Sequence, residues 1–258
     1  MSSLPYPTLP FLMLDPQRPF IHRDLSWIQF NERVLAEARS RSNPILEQLK
    51  FLAISASNLD EFFMIRFASL QRSISSTRID ENKDNLLRIH GTLLDSVARF
   101  GVKQYRTFSL LRKEAAKEKI FFQVKPPKNS KAFQVGKEIF EKEILPLLEM
   151  KSNFDSASLQ DLRNLQLLAY VHEQLYFEVP SSIPLLHWRE VENEGVCIFF
   201  LDDLILSHLD PMLPGKEKMG ILRITRDSDY SADFSEEDPA SLPDAIKKKL
   251  GTREKGAG

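Results

Sequence analysis

Residues 54–63 read ISASNLDEFF: small polar residues, then two acids, then two phenylalanines. How this run is read decides how many helices the first half of the chain contains. Asn58-Leu59-Asp60-Glu61 has the form of a capping box, an N-cap side chain followed three residues on by Glu. On that reading SASN interrupts one helix, and another runs from about Leu59 to Ser73. Loss of such a cap costs about 0.5–2 kcal/mol. The other reading has Asn58 displayed for a ligand. Both can hold, because a helix N-terminus carries free N–H groups. Asp60 and Glu61 would repel phosphates there.

Upstream, Asp24 is expected to cap a helix beginning LSWIQFNERVLAEA, with Trp27, Phe30, Val34 and Ala38 as its apolar stripe. Asn43 suits an N-cap and Pro44 the first position of the next helix, which carries Ile45, Leu49, Leu52 and Ile54. Downstream, Phe63, Phe67, Leu70 and Ile74 form the apolar row of the third helix. Residues 85–119 read as one long helix with Leu86, Ile89, Leu93, Val97, Phe100, Tyr105, Phe108 and Leu111 on a drifting stripe. Gly91 and Gly101 each weaken it by up to about 1 kcal/mol relative to Ala and mark places for a kink. Residues 20–120 are therefore expected to form a bundle of about four helices.

At IFFQVKPPKNS the pattern changes. Strands are expected at 120–124, 165–171, 175–180, 196–201 and 220–225, with helices over 131–149 and in DDLILSHL. The fold class is thus α then α+β: an N-terminal helical bundle followed by a mixed α+β unit over 121–258. Residues 1–19, with Pro5, Pro7, Pro10, Pro16 and Pro19, read as an extended, mobile leader rather than a signal peptide. The end, KKKLGTREKGAG, looks unfinished rather than capped.

The totals narrow the function. Among 258 residues, 35 Lys+Arg against 36 Asp+Glu leave a net charge of −1, without the global basic footprint of a nucleic-acid binder. No apolar run approaches the roughly 20 residues that cross a bilayer. The single cysteine, Cys197, lies in the apolar run VCIFF and reads as a small core residue, consistent with a reducing cytoplasm. His22, His90, His172, His187 and His208 stand in no metal-ligand spacing, and no phosphate loop or nucleophile elbow is present. No catalytic residue and no metal ligand is therefore assigned. The acid pairs Asp60-Glu61 and Asp202-Asp203 are expected in helix first turns, where they meet the positive dipole end. Arg223, Arg226, Asp227 and Asp229 follow a strand. They read as a solvated edge and turn, with an anion contact as the alternative.

Three blocks stand in order: LSW-x-x-FN-x-RVL, SNP-x-x-E-x-x-x-FL-x-I and NLDEF-x-x-x-R. Together with FLDDLI, Leu213-Pro214-Gly215 and RITRDSDY, they make residues 20–235 resemble the N-terminal and head domains of the class 1 polyphosphate kinases. The resemblance implies reversible transfer of the terminal phosphate of ATP to polyphosphate, with Mg²⁺ and a phosphohistidine intermediate. It places that histidine and the metal ligands in two C-terminal lobes. This chain is expected to stop before those lobes, within the head domain, and to be inactive without them. One residue carries over: Asn58, which in the family helps hold the adenine of ATP. Arg66, the R of the same block, is expected either to pair with an acid of the bundle or to face the active site. The implied partners are a second copy of the chain or the C-terminal lobes, with dimer contacts through the head domain. The implied location is the cytoplasm, with membrane association only through partners. A non-catalytic interaction or dimerisation protein derived from that family is the alternative.

Overall fold

The computed structural model describes residues 22–77, 81–154, 164–172, 175–191, 195–213 and 219–228. The leader, the C-terminal tail, Pro214, Gly215, Asp229 and Tyr230 lie outside the described residues.

The helix that begins at Ile45 does not stop at SASN. Helix α2 (Ile45–Glu61) passes into a π turn (Phe62–Phe67) and then into α3 (Ala68–Ser76). The backbone N–H of Phe62 reaches the carbonyls of both Asn58 and Leu59, so Asn58 is helix interior and the expected capping box does not form. Asp60 and Glu61 accordingly end a helix rather than begin one. Tertiary packing outweighs the local pattern here. Ser55 is buried and hydrogen-bonded to Leu52 and Gln104, and Phe62 is 1% exposed. Burying a Phe side chain contributes about 1.5–3 kcal/mol, more than a typical cap. The bundle consequently has three rods rather than four.

Helix α1 (Arg23–Glu37) is capped by His22, whose Nδ1 accepts from the Asp24 N–H at 3.3 Å. Asp24 is not the cap; it is buried in the first turn. The buried face of α1 is Asp24, Ile28, Asn31 and Leu35, with Ala38 beyond, whereas Phe30 is 46% exposed. The expected stripe is thus rotated, because two polar residues occupy core positions that hydrophobic periodicity cannot register. At the start of α2 the N-cap is Pro44, and the Asn43 amide turns back to donate to Glu37 O at 3.0 Å.

The third rod, α4 (Glu81–Lys117), runs 37 residues without a break through Gly91 and Gly101. Its Leu93 packs with Ile28, Phe62, Phe67 and Leu70, and its Phe100 and Leu111 pack with Leu35 and Ala38. Tyr105, expected inside, is 73% exposed.

Two residues after α4 ends, the chain enters the mixed half. Lys119 adopts φ 59°, and its carbonyl accepts from Val196 N at 2.9 Å. Strand β1 (Ile120–Gln123) then pairs in parallel with β6 (Gly195–Phe200), which also pairs antiparallel with β5 (Leu186–Val191). A second sheet is antiparallel, in the order β2 (Glu149–Lys151), β4 (Leu175–Val179), β3 (Leu167–His172), β7 (Gly220–Arg223). Helix α5 (Lys131–Ile139) is capped by Ser130 Oγ, continues as a π turn (Phe140–Ile144) and a 3₁₀ turn, and gives way to β2 at Glu149. The helix expected over 131–149 therefore ends earlier than its pattern suggests. Helix α6 (Leu201–His208) follows β6 directly.

Ile139, Phe140 and Ile144 pack against Phe177, Val179, Phe199, Leu204 and Ile205, with Cys197 fully buried among them as expected. Asp202 and Asp203 do stand in the first turn of α6. Burial, with the neighbouring Asp202 charge, raises the Asp203 carboxyl above the usual range, and Lys125 opposes this. The architecture is the expected one, helical first and mixed α+β after. Among the described residues no helix is long and apolar enough to cross a membrane.

Candidate functional site

Asn58 and Arg66 lie eight residues apart on the second rod. In a straight α-helix eight steps of about 100° leave side chains about 80° apart. The π turn between them winds less per residue, which carries Arg66 back toward the face of Asn58. Both line one cleft of about 530 Å³, closed on its other side by Arg23, Trp27 and Phe30 of α1. Trp27 stacks on Phe62 with ring centroids 4.8 Å apart and 22° between planes, which fixes an aromatic wall.

The charges of the cleft are largely neutralised within it. Arg66 Nη1 donates to Asp24 Oδ1 at 3.3 Å, and Arg23 Nε stands 3.7 Å from the same oxygen. The Asp24 side chain is only 3% exposed, so it needs those cations: an unpaired buried carboxylate is costly. Arg66 therefore pairs within the bundle, the first of its two expected roles, and also lines this cleft. With Glu61 also on the rim, the cleft is no cradle for polyanions. Aromatic walls, one amide and buried charge pairs suit a flat ring with polar edges.

The Asn58 amide is held from behind. Its Nδ2 donates to Asn31 Oδ1 at 3.1 Å, and Asn31 Nδ2 donates to Ser55 O at 2.9 Å. Neither Asn31 nor Asp24 is evident from apolar periodicity. The available signal was a polar pair seven residues apart, Asp24 and Asn31, on the face that Ile28 and Leu35 bury.

The other candidates are engaged in structure. Arg223 is exposed as expected, and its guanidinium bonds the Asp60 carboxylate. Asp227 ion-pairs with Arg72 across a second cleft of about 660 Å³, between α3 and the segment after β7. His90 packs on Phe67, and His208 on Phe133 and Phe140. Among the described residues no group of three or more His, Cys, Asp or Glu could hold a metal ion.

Two adjoining family models account for nearly all of this architecture: the polyphosphate kinase N-terminal domain over residues 20–123 and the polyphosphate kinase middle domain over residues 133–258. The chain is 32% identical to the polyphosphate kinase of Pseudomonas aeruginosa, over 94% of this chain and 38% of that protein. It is 34% identical to that of Erythrobacter litoralis, over 87% of this chain and 33% of that protein. The crystal structure of polyphosphate kinase from Porphyromonas gingivalis shares the fold, with a TM-score of 0.62 at 24% identity over 92% of this chain and 37% of that one. The fold is thus that of the leading portion of a phosphotransferase. The chain belongs to the polyphosphate kinase family and comprises its N-terminal and middle domains, spanning just over a third of the length of the curated relatives it matches.

Proposed function

We propose that this chain forms the adenine-side wall of a polyphosphate kinase nucleotide site. The enzyme so walled transfers the terminal phosphate of ATP reversibly to polyphosphate, with the phosphoryl chemistry supplied by the family's C-terminal lobes. The observation that carries this reading is the single cleft that Asn58 and Arg66 share with Trp27 and Phe30. Its aromatic walls and internally neutralised charge favour a base over a triphosphate, which would extend outward toward the lobes and its Mg²⁺. Hydrogen exchange of the chain with and without ATP tests it. Protection should rise in the segment from Ser55 to Glu61 and around Trp27. Unchanged exchange there, with ATP in excess, refutes the adenine wall.

A second role is compatible with the first: subunit or lobe association. It is favoured by Leu87, Leu94, Val102 and Tyr105, apolar or aromatic side chains left exposed along α4. Light scattering at several concentrations separates a strict monomer, which excludes self-association, from a dimer.

A further inference from the structure

The amide of Asn58 has a fixed sense, and Asn31 fixes it. The chain of hydrogen bonds starts at a group with no choice, because Ser55 O is a carbonyl and can only accept. The Asn31 atom 2.9 Å from it is therefore Nδ2, which puts Asn31 Oδ1 at the other end of that amide. That oxygen also only accepts, so the Asn58 atom 3.1 Å away is its Nδ2. Turning Asn58 over would set two acceptors face to face. Turning Asn31 as well would only move the conflict to Ser55 O. Asn31 is 0% exposed, so no solvent stands by to relieve either arrangement. Ser55 is held in turn, its Oγ donating to Leu52 O at 2.7 Å and accepting from Gln104 Nε2 at 2.9 Å. Asn58 is left with Oδ1 and one Nδ2 proton for the cleft, and no described residue donates to that oxygen.

We infer that Asn31 is a positioning residue that sets base selectivity: it holds the Asn58 carbonyl oxygen out to accept from the amino group of a 6-aminopurine. A 6-oxopurine in the same pose brings oxygen against oxygen and is rejected. The inference rests on the proposed adenine reading of the cleft and adds to it a residue and a discrimination.

The test is calorimetric binding of ATP and GTP to the full chain and its variants. Wild type should prefer ATP by about tenfold or more, the discrimination expected of one well-placed amide contact. Asn31→Leu offers no acceptor, frees the Asn58 amide to turn, and should bring the ATP:GTP ratio near one. Asn31→Asp keeps an acceptor facing Asn58 and should keep the ratio, although its second oxygen then meets Ser55 O and its buried charge makes the fold less stable still. A purely structural role gives the opposite order, with the ratio tracking stability. Asn31→Ser, whose hydroxyl can give or accept, is the second unpinning variant if Asn31→Leu does not fold. If Asn58→Leu leaves ATP affinity unchanged, or wild type binds neither nucleotide, the adenine reading fails and this inference with it. If Asn58→Leu weakens ATP but wild type shows no preference, or Asn31→Leu keeps it, the adenine reading stands and the inference is overturned.

Discussion

Arg223, at the end of β7, grips Asp60 of α2 with both nitrogens of its guanidinium fork, Nη1 to Oδ1 at 3.3 Å and Nη2 to Oδ2 at 2.9 Å. The pair ties the helical half to the antiparallel sheet across 163 residues of chain. Ser228 N donates to Met64 O at 2.9 Å beside it, and Asn164 Nδ2 reaches Met64 Sδ. Both side chains of the pair are partly exposed, so solvent screens the attraction. A double-mutant cycle with Asp60→Asn and Arg223→Met should give a coupling of up to about 1 kcal/mol that shrinks as salt rises. Urea unfolding at two ionic strengths measures it.

Arg66 does more for Asp24 than Arg223 does for Asp60, because Asp24 is buried. Arg66→Met should destabilise the chain by about 1–3 kcal/mol by stranding that carboxylate. Asp24→Asn in the same background should restore part of the loss. Equal stability of wild type and Arg66→Met would mean that Arg23 suffices for Asp24.

Glycines supply a prediction of both signs. A Cβ added at Gly91 or Gly101 meets nothing within 4 Å, and both lie inside a helix. Gly91→Ala and Gly101→Ala should each stabilise by about 0.5–1 kcal/mol. Gly195 is the reverse case. Its φ is 106°, and an added Cβ would lie 2.4 Å from Lys119 O. Gly195→Ala should cost about 1–3 kcal/mol and lower Tm, since neither backbone can yield without losing the β1–β6 start.

His208 gives a pH dependence. Burial lowers its pKa below the ordinary 6.5, against the nearby Glu141, which raises it, and alongside Lys137, which lowers it further. Its ring packs on those of Phe133 and Phe140, at 4.6 and 5.7 Å. The folded state thus takes up this proton less readily than the unfolded chain. Between the two pKa values the unfolded state binds more protons, so stability falls as pH drops below about 6.5. His208→Leu should flatten the decline in urea midpoint between about pH 7.5 and pH 5.5 relative to wild type. An unchanged slope removes His208 from the acid response.

Much of this architecture was legible from period alone. The long helix, the switch to mixed structure after Lys117, and the strands around Phe121, Ala169, Phe177 and Cys197 all follow apolar patterns. What was not legible was decided at a distance. The capping box at Asn58 is locally sound, yet burial of Ser55 and Phe62 keeps the helix running through it. Apolar period does not reveal the buried face of α1, because Asp24 and Asn31 are buried and their partners Arg66 and Asn58 lie on the second rod. Strand β5 buries only His187 and Val191 and exposes Trp188, so its sequence carries almost no alternation. The cleft was half visible. The family blocks mark Asn58 and Arg66, while the apolar stripe of α1 sends Trp27 and Phe30 to the core.

Helix α4 is a screw as well as a strut. At about 1.5 Å rise per residue its 37 residues advance about 55 Å, and its last turn hands the chain to β1 within a few residues. One residue inserted near its middle would spin everything beyond by about 100°, swinging β7 out of register with α2, whereas seven would bring it nearly back into phase. The angular setting of the two halves therefore depends on the length of this one rod, and only insertions close to a whole number of turns preserve it.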